Sequence, residues 1–162
     1  MKQIYLLIAL FVISGCAVNK GTKSIHSFTG DSIGCGNFIV YKLSGDNKEY
    51  ISVAFNAQNV EFDDFQAYGV AKTDIMEVKR RKYKEPISAS LCNDVMADKP
   101  QLLLEESPKQ GIVEIIVSDD DLEKAKKRQG YRVTIVLKKM LFENAAIDYL
   151  RIEDVYVGWL PG

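Results

Sequence analysis

Histidine is almost missing from these 162 residues: there is one, His26. A serine or cysteine nucleophile needs an oriented base beside it. His26 lies in a Ser-, Thr-, Gly- and Lys-rich stretch without periodicity, so a His-dependent catalytic constellation is not expected. Cysteine is scarce as well, with three copies. Together with one histidine they do not supply the four ligands of a zinc site. The apolar run from Ile4 to Ile13 is ten residues long, whereas a membrane-spanning helix takes about 20. Neither sign of charge dominates, with 21 basic residues against 22 acidic ones. That balance predicts neither a nucleic-acid surface nor one strongly drawn to anionic membranes. No glycine-rich phosphate loop is present either, because Gly34 and Gly36 precede a strand candidate and not a helix. Internal repeats and low-complexity tracts are absent.

What is present starts at the N-terminus. Lys2 followed by the short apolar run has the make-up of a secretory targeting signal. Ile13, Ser14, Gly15 and Cys16 then resemble the lipobox of bacterial lipoproteins: a branched aliphatic, two small residues and the cysteine. The resemblance covers the first sixteen residues. It implies a diacylglycerol thioether on Cys16, cleavage between Gly15 and Cys16, and acylation of the new amino group. Two or three acyl chains, at about 0.8 kcal/mol per buried CH₂, anchor stably where one is marginal. Position 17 is alanine and not the aspartate that marks inner-membrane retention in enteric bacteria, so the resemblance favours the outer membrane. The expected address is extracytoplasmic and lipid-anchored.

Residues 1–15 are therefore read as a signal peptide, 16–31 as a lipidated flexible tether, and 32–162 as one domain. Cleavage removes Lys2 and leaves 20 of the 21 basic residues against 22 acidic ones. With Cys16 carrying lipid, Cys35 and Cys92 remain. In an oxidising compartment such a pair is expected to form a disulfide joining the start of the domain to its middle. Two free buried thiols are the alternative.

Through the domain the dominant period is two. Phe38 to Leu43 and Tyr50 to Phe55 flank a polar turn cluster, Ser44 to Glu49, and read as a hairpin. Weaker strand candidates are Val60 to Phe65, Ala67 to Ala71, Thr73 to Tyr83 and Gln101 to Glu105. Ile112 to Val117 is β-branched. In Tyr131 to Leu137, Val133, Ile135 and Leu137 share one face while Arg132, Thr134 and Lys138 take the other. The last candidate, Tyr149 to Trp159, shifts its apolar phase by one residue near Glu153 and Asp154, which predicts a bulge or a tight hairpin there. One helix is expected from about Asp119 to Arg128, capped by Ser118 or Asp119, with Gly130 as its stop signal. The whole reads as a mainly β protein: an antiparallel sandwich of about seven to eight strands with one short connecting helix.

Three features are candidates for chemistry. Asp119, Asp120 and Asp121 suggest a cation, but successive residues on a helix diverge by about 100° and no calcium-loop pattern surrounds them. A helix terminus is the better reading, and neither metal nor cofactor is expected. Lys79 to Lys84 is the densest basic segment, and Arg80, Arg81 and Lys82 are its candidate contact residues. If that segment is a strand, alternate side chains leave by opposite faces and the patch is divided. Among aromatics, Tyr68, Tyr131, Tyr149, Tyr156 and Trp159 are candidates for partner or carbohydrate contact. Three functional classes stay open. The first is a non-catalytic accessory or interaction lipoprotein of the envelope, with a protein partner. The second is a module that binds a glycan or small ligand or inhibits an enzyme. The third is a carboxylate-based hydrolase. A flat exposed strand edge favours the first, a concave aromatic face the second, and a polar cleft lined by two acids the third.

Overall fold

The computed structural model describes residues 23–24, 27–36, 38–56, 60, 66–70, 75–87, 91–92 and 100–158. Residues 1–16, His26, the strand candidate over 61–65 and Trp159 lie outside them. Among the described residues the elements run β1 (Lys23–Ser24), β2 (Ser32–Gly34), β3 (Ile39–Leu43), β4 (Glu49–Phe55), β5 (Gln66–Gly69), β6 (Met76–Tyr83), β7 (Leu102–Glu106), β8 (Gln110–Val117), α1 (Asp119–Lys126), β9 (Tyr131–Leu141) and β10 (Ala145–Val157). They form two five-stranded sheets, ordered β1-β10-β9-β8-β5 and β2-β3-β4-β6-β7. Every pairing is antiparallel except that of β1 with β10. This is the mainly β, two-sheet fold with one short helix that the patterning predicts. The strand count is higher than expected because β1 and β2 are two and three residues long, too short to leave a period.

The alternation in the sequence is what closes the core. Val40, Ile51 and Val53 from the second sheet meet Val113, Ile135, Leu137, Ile152 and Val157 from the first, all without exposed surface. Asp154, at φ 50°, marks the expected bulge, and the β9–β10 register slips between Ile152 and Val155. That slip lets Ile152 before it and Val155 and Val157 after it all reach the core.

The β3–β4 turn closes as its composition predicts. Asn47 takes a left-handed φ of 55°, Asp46 Oδ1 accepts from Ser44 Oγ at 2.6 Å and the Lys48 N–H at 3.1 Å, and Ser44 Oγ accepts the Glu49 N–H at 3.0 Å. The Ser44 bond, ahead of the Lys48 one, holds the Asp46 carboxyl below the usual carboxylate range. The helix is shorter than expected. Ser118 stands at its N-cap without a side-chain cap bond, and Arg128, at φ 57°, supplies the left-handed residue beyond its end.

Gly130 has a different job from the stop signal expected of it. A Cβ there would lie 1.6 Å from Tyr156 Oη. Gly34 is the less replaceable of the two, since its Cβ would lie 1.9 Å from the backbone oxygen of Tyr156 on β10, which unlike a side-chain end cannot swing aside. Here β2 of one sheet packs directly on the end of β10 in the other. Gly34→Ala is expected to force the two backbones apart and cost about 1–3 kcal/mol, the usual scale of overpacking. A urea midpoint measured beside wild type checks this, and an unchanged midpoint would mean that the sheets close elsewhere.

The tether is a correction to the sequence reading. Its expected end was residue 31, yet Lys23–Ser24 already pairs with Ala145 and Ala146, and Phe28 is buried in the main core. A short polar stretch hid one buried aromatic, which composition averages away.

Candidate binding site

Strands β3 and β4 depart from the usual antiparallel pattern of one apolar and one wet face. Val40 points inward, but its neighbours Ile39, Tyr41 and Leu43 are apolar too. On β4, Ile51 and Val53 enter the core while Tyr50 faces the other way. The outward set forms a second apolar cluster of Cys35, Tyr41, Leu43, Tyr50 and Ile87, with Ile33, Ile39, Tyr83 and Leu91 packed against it. Tyr41 and Tyr50 meet edge to face at 5.2 Å between centroids, and Tyr83 lies 5.9 Å from Tyr50.

These three rings floor a recess of about 450 Å³ on the outer face of the second sheet, walled by Leu91, Pro100 and Leu102 and with Arg81 at its side. That volume lies within the range of about 300–1,000 Å³ found for small-ligand sites. The Cys35–Cys92 disulfide, with Cα atoms 5.4 Å apart, ties the wall residue Leu91 to the end of β2. The backbone adds a bond from the Ile87 N–H to the Asn47 carbonyl at 2.8 Å and another from the Lys84 N–H to the Gln101 carbonyl at 3.0 Å.

Arg81 is fixed on both sides. Its Nε donates to Glu105 Oε2 at 2.5 Å and its Nη1 to Tyr50 Oη at 2.9 Å. Burial works against the guanidinium charge, but the bonds to Tyr50 and Glu105 outweigh it, and the group stays charged. The same bond, with the Arg81 charge behind it, holds the Glu105 carboxyl below its ordinary range. Burial pushes the Tyr41 phenol up, reinforced by Tyr50, and burial with the Tyr50 hydrogen bond does so for Tyr83. Both phenols are therefore neutral near pH 7 and present O–H groups. The described lining residues offer aromatic faces, hydroxyls and one cation. It has the makings of a binding surface, and among its described lining residues there is no carboxylate or imidazole to act as a base.

The basic segment does not form a patch. It lies on β6, where Arg80 faces inward at 8% exposure and pairs with Glu49 and Glu106. Arg81 faces the recess, and Lys82 is exposed on the Arg80 side. The division by strand alternation is the physical reason that the expected contact surface of Arg80, Arg81 and Lys82 fails as a unit. Its one member at the recess is Arg81.

Lys82 instead borders a second hollow of about 410 Å³ with Ser27, Thr29, Asp46 and Lys48. Ser44, Asp46 and Glu49 line it too, but the turn and Arg80 already engage them, which leaves less for a ligand. Asp121 is likewise engaged: its carboxylate accepts Lys124 Nζ at 2.6 Å and the Arg132 N–H at 2.9 Å, which hold it below its usual range. It pins α1 to β9. Among the described residues no three His, Cys, Asp or Glu side chains are grouped to hold a metal ion.

The candidate aromatics divide as well. Tyr68 and Tyr131 are buried, while Tyr149 and Tyr156 are exposed at 57% and 37%. The tyrosines that matter, Tyr41, Tyr50 and Tyr83, were not among those singled out. For Tyr41 a signal was present in Phe38 to Leu43, where apolar residues occupy both strand faces and Lys42 alone is polar. No family model, curated protein or solved structure matches this chain.

Proposed function

We propose that this chain is a lipid-anchored, extracytoplasmic accessory lipoprotein, on the outer membrane, whose domain acts by binding and not by catalysis. The tyrosine-floored recess is its ligand site. The observation that carries this reading is the juxtaposition of three tyrosine rings with an oriented guanidinium in a hollow of ligand size. Of the classes left open by the sequence, a concave aromatic face supports the glycan- or small-ligand-binding module. The lipobox residues Ile13 to Cys16 support the anchor.

The test has two parts. Cys16→Ser is expected to abolish detergent-phase partitioning and leave the precursor uncleaved, and a processed variant still in the detergent phase would remove the anchor from the proposal. The lipidated full chain in detergent micelles is then applied to a glycan array beside Leu102→Trp. Leu102 is 47% exposed, so the larger side chain fills the recess without entering the core. Binding is expected to fall at least tenfold in this variant. Equal binding by both proteins would place the ligand surface elsewhere.

A second reading, contact with an envelope protein, rests on the edge strand β7, where Leu102 and Leu103 are exposed at 47% and 55%. Exposed apolar residues on an unpaired edge invite another strand. If Leu103→Lys abolishes crosslinking to an envelope protein in intact cells while glycan binding is unchanged, this reading replaces the first.

A further inference from the structure

Among its described lining residues the recess has a cation and no carboxylate, and that imbalance identifies the chemistry of what would fill it. A guanidinium carries five N–H groups in a fixed plane. In Arg81 one is taken by Glu105 and one by Tyr50, which leaves three without a partner among the described residues. Glu105 itself does not line the hollow. It holds the guanidinium from the side, so that among the described lining residues the recess has one cation and no anion. The O–H of Tyr41 adds a donor that stays protonated at neutral pH, while the Tyr83 hydroxyl lies 3.4 Å from Tyr50 Oη.

An apolar ligand would leave these groups desolvated and unpaired, at a cost for each. A purely ionic ligand would gain nothing from Leu91, Pro100, Leu102 and the tyrosine rings. A ring with C–H faces, several hydroxyls and one carboxylate satisfies both halves. From this we infer that the recess takes an acidic saccharide, a uronic-acid type of sugar, with its carboxylate on the free edge of Arg81 and its ring against Tyr83 and Leu102. The inference rests on the reading of the recess as a ligand site and adds the ligand class. Because Tyr50 and Glu105 orient the guanidinium before any ligand arrives, a paired contact to both carboxylate oxygens is favoured.

The experiment compares three probes on the lipidated full chain in micelles by ligand-observed NMR titration: digalacturonate; its dimethyl ester, which keeps the rings and hydroxyls but loses the charge; and 3-phenylpropanoate, which keeps a carboxylate and a ring but has no hydroxyls. The acid is expected to bind at least tenfold more tightly at low salt, with the ratio falling as salt screens the contact. Arg81→Gln is expected to bring the acid down to the affinity of the ester, with circular dichroism confirming the fold. Arg81→Lys, which keeps the charge but not the planar fork, is expected to retain part of the preference. Equal binding of acid and ester overturns the acidic-sugar inference and leaves the recess as a neutral-ligand site. A preference for the acid that persists in Arg81→Gln also overturns it, since the carboxylate would then sit elsewhere. Tighter binding of 3-phenylpropanoate than of digalacturonate overturns the saccharide and retains the carboxylate. If no probe binds, the inference falls, while the array comparison of wild type with Leu102→Trp judges the ligand-site reading separately.

Discussion

Arg80→Ala is expected to destabilise the protein by about 3–5 kcal/mol, the cost of removing one partner from a buried ion pair. Arg80 is 8% exposed and sits between two carboxylates, donating through Nε to Glu49 and through Nη1 to Glu106. Without it, two negative charges would face one another at the edge of the core. Glu106 is already the less well satisfied of the two, since its Oε2 is buried without a hydrogen-bond partner. The comparison that isolates the cause is the triple variant Arg80→Met, Glu49→Gln, Glu106→Gln, which removes the charges together and is expected to recover most of the loss. Lys82→Ala, at an exposed position on the same strand, is expected to change stability by no more than about 0.5 kcal/mol. Urea unfolding with a constant slope reads all three. A loss below about 1 kcal/mol in Arg80→Ala would show that water reaches this cluster and screens its charges.

The second large effect is expected from the disulfide. Cys35 and Cys92 are separated by 57 positions. Closing a loop of that length removes unfolded-state entropy worth about 4 kcal/mol in the chain-entropy model. Cys35→Ser with Cys92→Ser is expected to lower stability by roughly that amount, and recess binding is expected to fall further than stability alone explains, because Leu91 loses its tie to β2. Intact mass with and without reduction before alkylation establishes the bond in the purified full chain. The double variant's urea midpoint and its titration with digalacturonate then measure the two effects. A variant that loses stability but binds like wild type would show that the recess wall is held without the bridge.

Much of this architecture was legible because strands with one buried face announce themselves. Val133, Ile135 and Leu137 alternate with Arg132 and Thr134, and the first three are buried in the core. The phase shift near Asp154 was legible for the same reason, since a bulge is the cheapest way to keep both halves of β10 pointing inward. The cysteine pair was legible from parity, since Cys35 and Cys92 are what remains once Cys16 is assigned to the lipobox pattern. The site was not legible, and the reason is specific. Composition shows that Lys79 to Lys84 is basic, but whether its charges act together depends on which face each one takes and which acids come opposite. Glu49, Glu105 and Glu106 are 21 or more residues away in sequence and were unremarkable there. The tyrosines were hidden by an opposite effect: a run apolar on both faces looks like better core, although its outer face makes the floor of a recess. Phe28 escaped because one buried side chain in a polar stretch leaves no period.

The two-sided character of β3 and β4 also removes the information by which sheets ordinarily align themselves. A one-residue slip in a half-buried strand exposes its apolar set and is heavily disfavoured. Here both faces are covered, with every β4 side chain from Glu49 to Val53 buried, so burial alone discriminates weakly between neighbouring alignments. The alignment is written instead in the Ser44–Glu49 turn, where the left-handed Asn47, the Asp46 carboxylate and the Ser44 hydroxyl fix which residue of β4 stands opposite Leu43. Tyr50 stands there, and a displaced frame would turn its hydroxyl away from Arg81. The turn contributes no atom to the recess, yet it determines which side chains form its floor, so a substitution in the turn can remodel that floor without touching it.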